Sequence, residues 1–354
     1  LEHLDGALDF TSLHAGSSIT RMPAIQSGSW KFSLLPSPPR RKRAKALGFW
    51  GTEPFGQAEA AGRPVAFLWI EGNPVQVAAA GFKDVSLARC AGPDQAAGFC
   101  YVRANHHALL VRRNADGFEI TDLNPKGYEK SLAMGCSDGK QVGYGTPKGA
   151  RKDVALLWSG SAASVIELRA KDAELETSAY AIAKGVQVGY SGGQGRQRAM
   201  LWRGSTESAL DLHPESTKLS ECQGTDGTEQ VGTASVNFLS NLPSLWRGSA
   251  ESWVDLSPTG FHGGAACACA GGFQVGYVAL DKDNQRHHAA LWTGSAASFV
   301  DLHAFVPKQD FSDSGAWGIR VAGSRLYIAG DVSLMKDGVS YSQCAALWEA
   351  ELSA

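Results

Sequence analysis

The side chains best equipped for chemistry gather in one short segment. Asp281, Asp283 and Asn284 lie in one run, His287 and His288 close it, and His262 stands upstream. Carboxylate and amide oxygens suit calcium, whereas imidazole nitrogens beside a carboxylate suit zinc or a related metal. The set His262, Asp281, Asp283, His287 and His288 is therefore a candidate site for one divalent cation, calcium or zinc. The run Asp-Lys-Asp-Asn lacks the glycine and the closing glutamate of a helix-loop-helix calcium loop, so that motif is excluded. The plainer alternative is a polar hairpin tip, with a histidine packed beside Trp292.

Two further groupings could bind or react. His106 and His107 form a second histidine pair, and the second member of each pair is expected to cap its strand by hydrogen bonding. A basic arc runs from Arg103, Lys126, Lys148, Arg151 and Lys152 to Arg196 and Arg198, with Tyr128 among them. Guanidinium groups grip carboxylates in bidentate fashion, so the arc could hold an acidic sugar or peptide. Its competing account is ordinary surface charge, offset by Asp153, Asp172, Glu174 and Glu176. A metal-assisted hydrolase would use the cation to activate water, with His288 or His262 as ligand or base. A lyase on uronic-acid polymers would neutralise the substrate carboxylate with Arg196 or Arg198, while Tyr128 or a histidine moved the proton. The chain has no Gly-x-Ser-x-Gly elbow, phosphate-binding loop, dinucleotide glycine motif or His-Glu-x-x-His, so those chemistries are not indicated.

The elements that must position these groups are written in a repeat. Leu-Trp recurs at Trp69, Trp158, Trp202, Trp246, Trp292 and Trp348, with Leu110-Val111 filling the gap, at spacings of 42, 47, 44, 44, 46 and 56. Asp-Leu follows at Asp211, Asp255 and Asp301, with Glu167 and Asp122 in its place elsewhere. Gln-Val-Gly-Tyr precedes Leu-Trp at 141–144, 187–190 and 274–277, weakened to Gln-Val-Gly-Thr at 230–233. Within one period the runs 179–183, 186–190, 199–202 and 209–212 each have strand length, separated by Asp-Gly, Gly-Gly or Gly-Ser turns. No window carries the apolar spacing of a long amphipathic helix.

Four antiparallel strands per period make a propeller blade, and seven periods make a ring. The expected fold is thus an all-β, seven-bladed β-propeller spanning 1–354, the recurring tryptophan sealing blade against blade. The last repeat ends soon after Trp348 without its fourth strand, so an N-terminal strand should close the ring and remove the exposed edge. Residues 7–13 are favoured for that strand over residues 30–35, and 14–44 reads as an irregular connector carrying the basic run 40–43. Long loops, such as 279–288 and 332–343, fall on one face, where sites are expected.

Composition narrows the partners. Lys and Arg number 33 against 35 Asp and Glu, which leaves no global field for nucleic acid or an anionic surface. No apolar run is long enough for a spanning helix. Among seven cysteines, Cys90, Cys136, Cys222 and Cys269 fall near the innermost strands, where bridges between neighbouring blades (Cys90 to Cys136, Cys222 to Cys269) and buried thiols are both conceivable. The chain begins with Leu rather than Met, which fits a mature or trimmed protein.

The pattern of the repeat resembles the HAF-repeat family, named for a recurring His-Ala-Phe followed by Trp, Gly, Asp-Leu and Gln-Val-Gly elements. The resemblance covers about residues 45–350 and rests on His107-Ala108-Leu109 and His288-Ala289-Ala290; Val65, Val154, Arg198, Pro243 and Cys344 occupy the histidine position in other repeats. It implies a secreted or periplasmic bacterial protein and carries over no catalytic residue. Three functions follow as expectations. The first is a binding propeller that holds a glycan, peptide or partner protein on its long-loop face through Arg103, His106, His107, Tyr128, Arg151, Arg196 and Arg198. The others are an enzyme of the kinds described and a structural module of a larger envelope protein.

Overall fold

In the computed structural model the chain forms seven four-stranded antiparallel blades arranged as a ring. The structure describes residues 23–353 apart from 40, 61, 83, 92–94, 103, 104, 116, 173, 174, 194, 283–285, 308–310, 337 and 338. The innermost strands, in ring order, are Lys42–Trp50, Ser86–Ala91, Tyr128–Ser137, Thr177–Ala183, Leu219–Thr225, Gly264–Ala270 and Phe311–Ala322. Blade four shows the pattern: Thr177–Ala183, Val186–Ser191, Arg198–Trp202 and Leu210–Asp211, each paired to the next. These lie within two residues of the runs expected from sequence.

Closure uses the other N-terminal segment. Lys31–Leu34 pairs antiparallel with Val339–Glu351 as the outermost strand of blade seven, in register Phe32 to Trp348. The favoured residues 7–13 lie outside the described residues, and the position they were to fill is taken. That pairing sets the Phe32 ring 5.4 Å from the Trp348 ring. The expected connector 14–44 accordingly supplies the closing strand and the start of blade one at Lys42. The expected long loop 332–343 is instead a continued hairpin, Arg325–Lys336 with Val339–Glu351.

Each motif has one structural job. All six recurring tryptophans are buried, and each packs on the preceding blade: Trp202 on Val142, Leu157 and Leu168, and Trp246 on Val188, Leu201 and Leu212. The glutamine ties two turns together. Gln187 accepts from Gly204 N–H at 2.6 Å and donates to Gly185 O at 2.8 Å, and Gln141, Gln230 and Gln274 repeat this in their blades. The aspartate folds the last strand's exit: Asp122, Asp211, Asp255 and Asp301 each accept, through Oδ1, the N–H two residues on at 2.8–2.9 Å. A hydroxyl then staples blade to blade, since Ser131, Thr177, Ser220 and Ser314 accept the N–H of Ala108, Ala155, Ala199 and Ala289 in the preceding blade.

The glycine of the Gln-Val-Gly motif shapes the axis. In all seven blades a Cβ at this glycine (Gly56, Gly98, Gly143, Gly189, Gly232, Gly276, Gly330) would stand 1.8–2.0 Å from an innermost-strand carbonyl. That close approach accompanies a bulge in the innermost strand, directly after the residue paired with the glycine. A bulge inserts one unpaired residue and re-aims its side chain. Here the inserted residues are Leu47, Met134, Tyr180, Gln223, Cys267 and Trp317.

Candidate functional site

Five of these six bulge residues, all but the buried Cys267, line two adjoining cavities on the ring's axis that meet at Met134. One, of about 320 Å³, is lined by Met134, Tyr144, Tyr180, Glu221 and Gln223 from blades three to five. The other, of about 300 Å³, lies on the side of blades seven, one and two, with Lys45, Leu47, Gln57, Phe99 and Trp317 among its walls. Most lining residues outside the bulges come from the strand segments leading to the long-loop face. Tyr144 pairs with Leu132, Gln57 with Lys45 and Phe99 with Ser86, all on that side of the bulge.

The two cavities differ in electrostatics. On the side of blades three to five, Tyr180 and Tyr190 rings stand 5.8 Å apart, and Tyr190 donates its hydroxyl proton to Glu176 at 3.0 Å. Burial pushes the hydroxyls of Tyr144, Tyr180 and Tyr190 up, Tyr190 to about 12, and the neighbouring carboxylates Asp153, Glu176 and Glu221 add to the rise. These phenols stay protonated at any physiological pH. Gln223 donates to Glu221 Oε1 at 2.8 Å, which fixes that carboxylate at the cavity wall.

On the side of blades seven and one, Lys45 Nζ sits 5.2 Å from the centre of the Trp317 ring, and the indole N–H donates to Asp331. Asp331 is only 4% exposed, and burial raises its carboxyl against the opposing pull of Lys45 and the Trp317 N–H. His287 stacks edge-on to Tyr277 at 5.0 Å while its backbone N–H donates to Asp313 at 3.1 Å. Burial lowers the His287 imidazole, so it favours the neutral form.

The residues singled out from sequence divide by strand alternation. His287 and His288 are neighbours on one strand and so face opposite sides of their blade: His287 reaches Tyr277, whereas His288 Nδ1 bonds Asp301 at 2.9 Å and stacks on His303 at 4.0 Å. His106 and His107 split the same way, His106 against Tyr101 at 4.3 Å and His107 Nδ1 on Asp122 at 2.7 Å. The repeat histidine therefore does hydrogen-bond across its blade, with the aspartate of the Asp-Leu element. Arg198 takes that histidine position and grips Asp211 with Nε and Nη2, both at 2.7 Å. Tyr128 donates to Glu167 at 2.6 Å.

His262 is exposed, with its backbone N–H on Ala279 O, and Asp281 is half-buried at the start of the loop. Arg151 and Arg196 are exposed at the surface. Arg103 and Asp283 lie outside the described residues. Among the described residues no three of His, Cys, Asp and Glu converge closely enough to hold a metal ion. Cys222 is a buried free thiol, so the conceivable bridge to Cys269 is not formed, while Cys136 and Cys269 approach the carbonyls of Gln95 and Glu229 in neighbouring blades.

Sequence reasoning passed over the axial residues Lys45, Tyr144, Tyr180, Tyr190, Glu221, Trp317 and Asp331. A signal for three of them was present: the residue after the motif glycine is Gln57, Phe99, Tyr144, Tyr190, Thr233, Tyr277 and Asp331 around the ring. It varies in chemistry where the glycine before it does not.

Fold and cavity together define a β-propeller with a polar and aromatic opening on its axis. No protein-family model and no curated protein matches the chain. Solved structures do. The puromycin hydrolase S511A mutant complexed with PGG superposes with a TM-score of 0.60 at 12% identity, over 83% of this chain and 50% of that one. The β-propeller domain of the Trilobed protease from Pyrococcus furiosus gives 0.55 at 9% identity, over 86% of this chain and 98% of that domain. TolB from Acinetobacter baumannii gives 0.48 at 12%, over 75% and 64%. The chain thus spans half the length of the hydrolase it matches. At these identities the first two likenesses establish the propeller fold and nothing about activity. Among the described residues no helix is long and apolar enough to cross a membrane.

Proposed function

We propose that the chain is a binding propeller that holds a glycan at the axial opening of its long-loop face. The observation that carries this is the cavity of about 320 Å³ walled by Tyr144 and Tyr180 beside Glu221 and Gln223. A sugar ring offers an apolar C–H face and a rim of hydroxyls. Tyrosine rings accept the face, and carboxylate and amide oxygens accept the hydroxyl protons. Sites of this form bury most of the ligand's surface and fix its orientation through a few polar contacts. A secreted or periplasmic location belongs to the same proposal. It is supported by the resemblance to HAF-repeat proteins, whose motif histidine is matched here by His107 and His288, each bonded to an aspartate of the following strand.

Titration calorimetry against a panel of soluble oligosaccharides tests the proposal, using the wild-type chain and Met134→Trp. Met134 lies where the two cavities meet, so the indole should fill the opening. A glycan bound by the wild type and lost in the variant, with the melting temperature retained, is the expected result. A panel with no binder, or a binder indifferent to Met134→Trp, overturns it.

A further inference from the structure

We infer that the axial cavity of blades three to five recognises a ligand ammonium group, so that the glycan it takes is an amino sugar rather than an acidic or neutral one. The inference rests on the glycan reading above for the sugar, but not for the charge.

The cavity walls decide the charge. Tyr144 and Tyr180 line the space, Tyr190 stands 5.8 Å behind Tyr180, and Met134 adds a polarisable apolar surface. Aromatic faces carry negative quadrupole density and attract an ammonium, most strongly where water is displaced. Two carboxylates complete the surroundings, Glu221 in the wall and Glu176 at the Tyr190 hydroxyl. Asp153 nearby is matched by Lys130 at 3.6 Å. Glu176 and Glu221 have no ion-pair partner among the described residues; their contacts are Tyr190 and Gln223. With the three phenols neutral, the cavity presents uncompensated negative charge inside a recess of the protein, where Coulomb attraction is several times that in bulk water.

Each candidate ligand fares differently against these walls. A uronic acid would bring a like charge beside Glu221 and Glu176 and is repelled. A neutral sugar can donate hydroxyl protons but leaves both carboxylates without a counter-charge. A protonated amine answers both rings and carboxylates, and its shape on a sugar fits a cavity of about 320 Å³. The same ammonium could arrive on a lysine side chain, so the source must be tested with the charge.

The experiment titrates the whole chain at mildly acidic pH with a glucosamine tetramer, its fully N-acetylated counterpart and a short lysine-containing peptide. The amine tetramer should bind about tenfold or more tighter than the acetylated one, a preference that weakens with added salt. Glu221→Gln should weaken the amine tetramer about tenfold and leave the acetylated one unchanged. Glu221 is only partly buried and Gln is isosteric, so a retained melting curve certifies the variant, and Glu176→Gln repeats the test from the other carboxylate. Equal affinity for the two tetramers, or no effect of either substitution, overturns the ammonium site while leaving the glycan reading. Binding of the lysine peptide without either sugar supports the ammonium site and overturns the glycan. No binding by any probe overturns both.

Discussion

Ser220→Ala isolates the hydroxyl staple that joins one blade to the next. Ser220 is 2% exposed, and its Oγ accepts the Ala199 N–H at 2.9 Å and meets His213 Nδ1 at 2.7 Å. Removal strands a buried backbone N–H, which costs about 1–3 kcal/mol, and loses a side-chain bond worth about 0.5–1.5 kcal/mol. His213 is half-buried and can recruit water, so the sum falls at about 2–3 kcal/mol. Urea unfolding followed by tryptophan fluorescence reads the difference as a lower midpoint at unchanged slope. Ser220→Thr is the matched control, because Thr177 performs the same task for Ala155 at 2.9 Å and the hydroxyl survives. If Ser220→Ala lies within about 0.5 kcal/mol of wild type, the range of an uncoupled surface change, the staple does not hold the blades and the reasoning fails.

Two other perturbations test the scaffold. Gly189→Ala should destabilise by about 3 kcal/mol or more, since its Cβ would stand 1.9 Å from Ser178 O; Gly193→Ala, with nothing within 4 Å, should be near neutral in the same melts. His303 is pushed down to about 4 by burial and by neighbouring His288, so the unfolded chain binds a proton there that the folded chain refuses. Stability should be flat above the unfolded value near 6.5 and fall as pH drops towards 4, by about 1–2 kcal/mol after solvent screening of this partly exposed ring, and His303→Gln should flatten that window.

The fold was legible because its motifs are scaffold. Trp, Gln, Gly and Asp recur because each blade needs an interface plug, a turn tie, a close strand crossing and an exit fold, and those needs repeat every period. The ring's closure was misread for a physical reason. A fourth strand in this ring is short and edge-like, so 7–13 and 30–35 both offered a segment of the right length, whereas the observed pairing sets Phe32 against Trp348. Adjacent histidines read as one cluster in sequence, yet strand alternation sends His287 to the axial side and His288 to Asp301. The bulges hid the rest. Met134, Tyr180 and Gln223 are the extra residues of their innermost strands, and no recurring motif letter marks where a bulge falls.

A ring of near-identical blades has, by symmetry, no single place to bind an asymmetric ligand. A site requires that symmetry be broken while the scaffold is kept, and the axis is where seven equivalent positions come within reach of one ligand. The chain does this at two positions per blade. The bulge residue runs Leu47, Met134, Tyr180, Gln223, Cys267 and Trp317, and the residue after the motif glycine runs from Gln57 and Phe99 through three tyrosines to Asp331. Neither position bears on blade stability through the motif contacts, so both are free to differ. Their differences sort by side: rings with carboxylates on blades three to five, and a lysine held over an indole with a buried acid on blades seven and one. A ligand lying across Met134 would therefore meet an acceptor for its cation on one side and a Lys45 donor on the other, which fixes its direction in the ring as well as its charge.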